Sequence, residues 1–427
     1  MKVAVVGSGI AGLASAWQLA RDGHDVALFE AADYFGGHAH TVDVTVDGHR
    51  FGVDTGFLVF NRQTYPALVA LFAELGVATT ESDMSFSVRT PAGGRMLEWA
   101  GTNLDTVFAQ RGNLLRPRFL GMLRDILRFN AHTTRLAESG QLEASAQTLG
   151  AFLDRHRYGR AFRDWYLLPM AGCIWSCPTE RMLAFPLASF VRFCHNHGLL
   201  QVEDRPKWRT VTGGARHYVD KLLAAIPRAH ASTPVERIVR SRLSGREAVT
   251  LTTRLGSEHF DHVVLATHSD QSLRLLHDPD AGERLLLEAV PYQPNRAVLH
   301  TDARCLPQHR KAWAAWNYEH GGGERVCVHY LFNRLQPLPC ATPVIVSLNP
   351  VAEPDPATVL GAWNYAHPVF DAGAVAAQRR LWTLQGRRNT WFAGAWTGYG
   401  FHEDGLKSGL AVARAITRMG AAVLAAA

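Results

Sequence analysis

Cysteine is scarce in this sequence. Its 427 residues include six cysteines, and no secretory signal precedes the first apolar segment. A fold held together by disulfides is therefore not expected, and a reducing, cytoplasmic location is predicted. No metal site is predicted either, because Cys173 and Cys177 lack a partner pair of cysteines, and His195 and His197 lack a third ligand at a suitable spacing.

Long apolar runs are also missing. The most notable uncharged segment, Trp165 to Thr179, contains Pro169 and Pro178. It is shorter than the roughly 20 residues that a membrane-spanning helix requires. We expect it to form a buried core segment or the wall of a pocket.

The charge balance is mildly basic. The net charge of +6 favours an anionic partner, but the basic residues are spread along the chain, so nucleic acid is not expected to bind. With 47% hydrophobic and 19% charged residues, the chain is long enough for two globular domains.

The strongest positive signal lies at the start of the chain. The apolar run Val3 to Val6 leads directly into Gly7-Ser8-Gly9-Ile10-Ala11-Gly12, and a helical pattern follows. In such a strand, glycine and helix unit, Gly7 allows a tight turn, Gly9 admits a pyrophosphate and Gly12 allows the helix to pack closely on the strand. The free N–H groups at the helix start, around Ile10 and Ala11, would then face the phosphates.

The next strand completes this pattern. Val26 to Phe29 is a second apolar run, and Glu30 follows it at the distance that the motif requires. Its carboxylate can accept hydrogen bonds from ribose hydroxyl groups. Together these elements predict a Rossmann-type dinucleotide site.

Further glycines connect this site to the end of the chain. Gly36 and Gly37 follow Glu30, Thr390 to Gly394 reads as a short strand ending in glycine, and a helix is predicted from about Leu406 to Met419. These features resemble flavoproteins of the amine oxidase and phytoene desaturase type. The resemblance implies FAD as the cofactor, with Gly394, Gly405, Leu406 and the backbone of Val235 close to it. No cysteine lies in the C-terminal segment, so noncovalent FAD is expected.

A narrower resemblance covers nearly the whole chain. The segments 53–57, 111–118, 174–178, 292–296 and 398–405 resemble a bacterial group of NAD/FAD-binding, amine-oxidase-like proteins. This resemblance implies an α/β fold with a discontinuous FAD-binding domain, residues 1–75, 205–290 and 385–427. An α+β substrate domain, residues 76–204 and 291–384, would be inserted into it. Members of the group tend to be encoded beside cyclopropane-fatty-acid-synthase-like methyltransferases, which implies a lipid-modifying methyltransferase as a partner.

The motifs also indicate the type of reaction. The chain has one GxGxxG motif and no second, which argues against a separate nicotinamide domain, so the substrate itself is expected to reduce the flavin. The predicted reaction is dehydrogenation, desaturation or isomerisation of an apolar substrate, first of all a fatty acyl chain, with hydride passing to flavin N5. A flavin amine oxidase is one alternative, and a noncatalytic FAD-containing partner of the methyltransferase is another.

Four polar residues are catalytic candidates. Arg296 stands where the resembled amine oxidases carry a lysine near N5, and because arginine keeps its proton, simple amine oxidation is less favoured. It would hold an anion or the reduced flavin, or else form an ordinary surface ion pair. His402 and Glu403 precede the C-terminal helix and would either face the flavin or cap the helix. Tyr399 is expected to line an apolar cavity, together with Trp175, Trp316 and Tyr318.

One segment is basic and amphipathic. Residues 111–128 carry several arginines against one acid, Asp125, with apolar residues at helical spacing from Phe119 to Leu127. Such a helix can lie on an anionic bilayer, and it can equally pack on a protein core. The sequence therefore leaves open a peripheral location on the inner face of a membrane and an acyl substrate held in phospholipid.

Overall fold

The computed structural model describes residues 1–140, 142, 147–201, 205–243, 246–322 and 325–426. The strands in chain order are β1 (Lys2–Val6), β2 (Asp25–Phe29), β3 (Thr41–Val46), β4 (His49–Asp54), β5 (Phe60–Asn61), β6 (Thr79–Ser82), β7 (Phe86–Pro91), β8 (Met96–Ala100), β9 (Trp208–Val211), β10 (Arg228–His230), β11 (Val235–Leu243), β12 (Arg246–Thr253), β13 (Gly256–Phe260), β14 (His262–Leu265), β15 (Tyr292–His300), β16 (Trp316–Glu319), β17 (Cys327–Leu331), β18 (Ile345–Leu348), β19 (Val359–Pro368) and β20 (Thr390–Phe392).

The helices in chain order are α1 (Ile10–Arg21), α2 (Pro66–Glu74), α3 (Leu104–Val107), α4 (Pro117–Glu138), α5 (Leu149–Arg155), α6 (Arg160–Phe162), α7 (Leu168–Trp175), α8 (Thr179–Met182), α9 (Leu187–Asn196), α10 (Arg216–Leu223), α11 (Ser269–Leu275), α12 (Ala281–Leu287), α13 (Phe332–Leu335), α14 (Ala372–Arg380) and α15 (His402–Ala426). None of them, within the residues described, is apolar over the length that crossing a membrane would demand.

A parallel sheet forms around the first strand. Its order is β10-β2-β1-β14-β20, and every neighbouring pair is parallel. After the charged first residues, Lys2 and Asp25, the side chains of β1 and β2 are apolar on both faces because helices or other strands cover both sides of such a sheet. The predicted unit of β1, α1 and β2 is thus confirmed, as is the short strand predicted to begin at Thr390.

A second, mixed sheet faces this one. Its seven strands run in the order β19-β15-β18-β17-β16-β7-β8. They come from the segments that the sequence assigns to a substrate domain, whereas the strands of the parallel sheet come from the segments assigned to FAD binding. The α/β fold with a discontinuous nucleotide-binding part is therefore confirmed. The exact domain boundaries remain a prediction, and residue 204, at one of them, lies outside the described residues.

The C-terminal helix is longer than predicted. It begins at His402 and includes Gly405, which the sequence suggested as part of a preceding loop. Glycine is needed there for packing, because a Cβ on Gly405 would lie 2.8 Å from Ile10 and one on Gly409 would lie 2.2 Å from the carbonyl oxygen of Ala11. These close approaches bring α15 against α1 beside the nucleotide motif.

The basic segment forms a short 3₁₀ turn, Arg111–Leu115, followed by α4. The helix buries Phe119, Met122 and Phe129, and the buried Asp125 accepts a hydrogen bond from the backbone of Gly159 at 2.9 Å. Its inner face therefore packs on the protein core. The apolar residues predicted for that face include two, Leu120 and Leu127, that are instead exposed.

Candidate active site

A cavity of about 1020 Å³ lies between the carboxyl ends of the parallel strands and one face of the seven-stranded sheet. Val6 at the end of β1 and Phe29 at the end of β2 lie on one side of it, and Trp316 and Tyr330 lie on the other. The position agrees with the rule that open α/β sheets bind ligands beyond the carboxyl ends of their strands.

The glycine loop at the start of the chain has the predicted geometry. Gly7 has φ of +95°, a conformation that favours glycine. A Cβ on Gly12 would lie 1.8 Å from the carbonyl oxygen of Gly7, so α1 packs directly on the turn. A Cβ on Gly9 would meet no protein atom within 4 Å, because this position faces the cavity.

Glu30 closes the same end of the cavity. Its carboxylate accepts hydrogen bonds from the backbone N–H and the hydroxyl of Ser8, at 2.8 and 2.6 Å, and from the backbone of Ala32 at 2.9 Å. These contacts hold the carboxylate at the edge of the glycine loop and leave acceptor capacity free.

Most predicted cofactor residues line the cavity. These are Gly7, Gly9, Ile10, Ala11, Glu30, Gly36, Gly37, Val235 and Gly394. Gly12, Gly405 and Leu406 lie behind the wall, where the two glycines allow close packing and Leu406 is fully buried.

The four catalytic candidates separate into two groups. Tyr399 and His402 line the cavity, and the ring of His402 stacks on Phe57 at 3.9 Å. Glu403 is buried but points elsewhere, accepting hydrogen bonds from the backbone at the start of α2. Arg296 is not among the lining residues, and it forms an exposed ion pair with Glu353 at 2.6 Å. This position agrees with the second of the two roles predicted for Arg296, an ordinary surface ion pair.

The aromatic candidates also divide between two locations. Trp175, Trp316 and His197 line the cavity, whereas Tyr318 and His195 are not lining residues. The segment from Trp165 to Thr179 contributes Ile174 and Trp175 to the wall, in agreement with its prediction as a pocket wall.

A group of histidines was missed by the sequence reasoning. His38, His268 and His367 all line the cavity, and the rings of His38 and His367 are 5.2 Å apart. Burial lowers the pKa of His367 to about 4 and holds the pKa of His38 and His268 below their usual value, so these rings are neutral. Only the position of His38, directly after Gly36 and Gly37, offered a signal in the sequence.

The residues present fit a bound FAD. Gly9 faces open space where a pyrophosphate would approach the backbone, and α1 presents its first N–H groups there. The buried Nε2 atom of His38 has no hydrogen-bond partner among the described residues, which suits a wall that a polar ligand covers. The glycine loop and Glu30 would hold the nucleotide, and the residues from Gly394 to His402 would hold the flavin end.

The arrangement defines a dinucleotide-binding flavoprotein, and comparisons with known proteins identify its family. A model of the family described as flavin containing amine oxidoreductase matches residues 10–329. The chain therefore belongs to this family. Its cofactor is FAD, which in general can accept two electrons and a proton as a hydride.

Individual relatives agree with this assignment. A Mycobacterium tuberculosis protein that carries the name flavin-containing monoamine oxidase AofH is 27% identical over 291 residues, which is 65% of this chain and 59% of that protein. The match thus spans less than two thirds of that relative. Among solved structures, cyclohexylamine oxidase from Brevibacterium oxydans has a TM-score of 0.68 at 17% identity, covering 98% of this chain and 99% of that one. A fatty acid isomerase from P. acnes has a TM-score of 0.67 at 16% identity, covering 97% and 98%. These two likenesses concern the fold.

Proposed function

We propose that this enzyme takes a hydride from an apolar substrate, a fatty acyl chain, and transfers it to flavin N5. The observation that supports this proposal is that the described residues lining the end of the cavity away from Glu30 have no charged side chains. That end is formed by aromatic and aliphatic side chains, with Ile174, Trp175, Phe193, Leu199 and Phe401 among them. Their rings contact one another, as at Phe193 and Phe401, which stack at 4.7 Å.

The charged lining residues lie in other parts of the wall. Among the lining residues that the structure describes, the carboxylates and guanidinium groups belong to Glu30, Asp270 and Arg274. Asp270 and Arg274 are paired with each other at 2.8 Å on α11, next to the end of β14. Burial lowers the pKa of His197 to about 4 and that of His402 to about 3, so neither carries charge at neutral pH. An alkyl chain gives up little favourable interaction with water when it enters such a site. An ammonium group would give up its hydration and find no carboxylate partner there.

Two buried donors suit an acyl group. The indole nitrogens of Trp175 and Trp316 have no hydrogen-bond partner among the described residues, and both rings line the cavity. A carbonyl or carboxylate oxygen of the substrate would satisfy such an N–H group. The solved fatty acid isomerase has a similar fold, and it supports the proposal because an enzyme with this fold acts on a fatty acid.

The experiment is anaerobic mixing of the FAD-loaded enzyme with a free unsaturated fatty acid, a phospholipid and simple amines. Flavin absorbance reports reduction, and mass spectrometry of the products is needed as well, because an isomerisation returns the electrons and leaves the flavin oxidised. We expect acyl compounds to be converted. Conversion of amines alone would overturn the proposal, and no conversion of any compound would favour the noncatalytic alternative.

A variant pair sharpens this test. Ile174→Asp places a carboxylate in the apolar end, and we expect kcat/KM for the acyl substrate to fall at least about tenfold, or roughly 1.4 kcal/mol. Leu104→Asp, at an exposed leucine on α3, is the matched control and should change little. Both variants must retain FAD for the comparison to count.

A flavin amine oxidase is the second candidate, and the family match favours it. The cavity rings could hold an alkylammonium group by cation–π contact. If so, Ile174→Asp should improve turnover of an amine. The comparisons lend no support to a methyltransferase partner.

We further propose that the exposed side of α4 rests on an anionic bilayer. Leu120, Arg124 and Leu127 follow one another along a single stripe of the helix, and all three are exposed. Leu115 in the preceding turn is 88% exposed, and the side chain of Arg124 is 80% exposed. Leucines between arginines fit the boundary between lipid headgroups and acyl chains.

A further inference from the structure

A second cluster of reactive side chains lies on the seven-stranded sheet, on the face turned away from the cavity. Its members are Glu319 on β16 and Cys327 and His329 on β17. The carboxylate oxygen, the sulfur and the ring nitrogen all lie within 4.8 Å of one another, and Cys327 and His329 are each 1% exposed. The established flavin chemistry makes no use of this cluster.

Strand pairing explains how these residues meet. Cys327 and His329 are two residues apart on one strand, so their side chains point to the same face. Glu319 pairs directly with Cys327 across the antiparallel β16 and β17. On the alternate positions, Trp316 and Tyr330 point to the opposite face and line the cavity. The same pair of strands therefore carries a pocket wall on one face and the cluster on the other.

The hydrogen bonds around His329 determine which of its ring nitrogens faces the cluster. Nδ1 of His300 accepts from the backbone of Asp302 at 3.1 Å, so Nε2 of His300 donates to the Ser347 hydroxyl at 2.7 Å. The oxygen of the same hydroxyl lies 2.6 Å from Nδ1 of His329. This contact occupies Nδ1 and leaves Nε2 facing Glu319 at 3.0 Å and Cys327 at 3.4 Å.

Nε2 of His329 therefore faces two further atoms that commonly bind metals, a carboxylate oxygen and a sulfur, in a place largely closed to water. A metal ion at the centre of the three atoms would contact all of them at once. The observed separations of 3.0 and 3.4 Å are close to the roughly 3.2 to 3.8 Å between neighbouring ligands of tetrahedral zinc.

Neighbouring side chains orient the cluster. Arg89 donates to the other carboxylate oxygen of Glu319 at 3.2 Å, which turns Oε2 toward His329. Ser347 fixes the far side of the imidazole ring, as second-shell groups do around metal-binding histidines.

We propose that Glu319, Cys327 and His329 bind one Zn²⁺ ion, with water as the fourth ligand. Mixed sulfur, imidazole and carboxylate ligands suit zinc better than magnesium or calcium. On binding, the Cys327 thiol loses its proton to solvent, and Nε2 of His329 binds the ion in its unprotonated form, with any proton it carried also released to solvent. The ion would tie the β16 and β17 strands behind the cavity wall. The sequence predicted no metal because these ligands become neighbours only through strand pairing.

The test is metal analysis of the tag-free flavoprotein after dialysis against Zn²⁺ and removal of excess metal. We expect one zinc per chain. Replacement by Co²⁺ should give ligand-field absorption at wavelengths longer than those at which oxidised flavin absorbs, which would show tetrahedral coordination with sulfur. A zinc content near zero, or zinc without the cobalt spectrum, would overturn the proposal.

Paired variants separate metal binding from folding. Cys327→Ser should abolish stoichiometric zinc, whereas Cys340→Ser, at a thiol outside the cluster, should not. Ser347→Ala should weaken zinc binding by about tenfold or more through the second shell. Ser87→Ala, which removes another buried hydroxyl from the same sheet, should leave zinc binding unchanged. Retained FAD in each variant verifies the fold, and equal zinc content in Cys327→Ser and wild type would contradict the assignment.

Discussion

The hydroxyl group of Tyr218 lies 2.6 Å from Nε2 of His402. Burial raises the pKa of Tyr218 well above its usual range, so the tyrosine keeps its proton. Burial also lowers the pKa of His402 to about 3. The ring is therefore neutral, and it lines the cavity as a hydrogen-bonding group and not as a cation.

This neutral histidine predicts how stability depends on pH. The pKa of His402 in the folded protein, about 3, lies below the ordinary histidine value of 6.5, so its contribution to stability is present above pH 6.5 and is lost as pH falls toward 3. Across that window we expect the free energy of unfolding to fall by about 1.4 kcal/mol per pH unit for each such histidine. His402→Asn should flatten the decline measured by thermal melting of the FAD-loaded protein. His49→Asn, at an exposed histidine, should not alter the slope.

Glu403 is predicted to matter for stability more than for catalysis. Helix α2 begins with Pro66, and its N-cap residue, Tyr65, makes no side-chain capping bond. The two oxygens of Glu403 instead accept from the backbones of Ala67 and Leu68, at 2.9 Å each. Glu403→Gln should therefore lower the free energy of unfolding by about 1 to 2 kcal/mol.

Two quantities are measured for this variant: its stability, by chemical denaturation, and its rate of flavin reduction. Glu74→Gln, which removes an exposed partner of Arg21, is the control and should cost less than about 1 kcal/mol. A large loss of reduction rate in Glu403→Gln with unchanged stability would show that the carboxylate acts in catalysis after all.

The different outcomes for Gly9 and Glu403 show how far sequence reasoning reaches. The glycine motif could be predicted because its strand, turn and helix are contiguous, so local chemistry determines the geometry. Glu403 and the start of α2 are far apart in sequence, and no local pattern reveals that contact. The same holds for His367 and for the group formed by Glu319, Cys327 and His329, which depend on strand pairing. Sequence reasoning therefore predicts the local geometry of the glycine loop, whereas the positions of these other side chains depend on contacts between residues far apart in the sequence.

Substitutions at two glycines should separate cofactor binding from folding. Gly9→Val places its side chain in the cavity, where a Cβ meets no protein atom within 4 Å, so the protein should fold but lose FAD. Gly12→Val puts a Cβ 1.8 Å from the carbonyl oxygen of Gly7, so it should not fold at all. Flavin absorbance and circular dichroism measure the two effects. Full retention of FAD by Gly9→Val would contradict the assignment of the glycine loop as the pyrophosphate-binding site.

Arg296 is predicted to be dispensable for the chemistry. Its guanidinium group pairs with Glu353 at 2.6 Å, and the two side chains are 43% and 66% exposed. An exposed pair of this kind contributes at most about 1 kcal/mol. Arg296→Gln should therefore leave both flavin reduction and stability nearly unchanged. A strong decrease in kcat would mean that the side chain leaves Glu353 and reaches the substrate.

Membrane attachment through α4 is the last prediction. Arginines near an anionic surface each add roughly 1 kcal/mol of attraction, which salt weakens, and inserted leucines add an apolar contribution that salt does not weaken. The protein should therefore float with anionic liposomes at low salt, less at high salt, and weakly with zwitterionic liposomes. Replacing Leu120 and Leu127 by serine should reduce flotation even at low salt, and Arg124→Glu should reduce it further. Both leucines are exposed, so these changes should leave the fold and FAD content intact. The inner face of α4 packs on the core whether or not its exposed face binds lipid. Equal failure to float under every condition would therefore mean that α4 serves only to pack on the core.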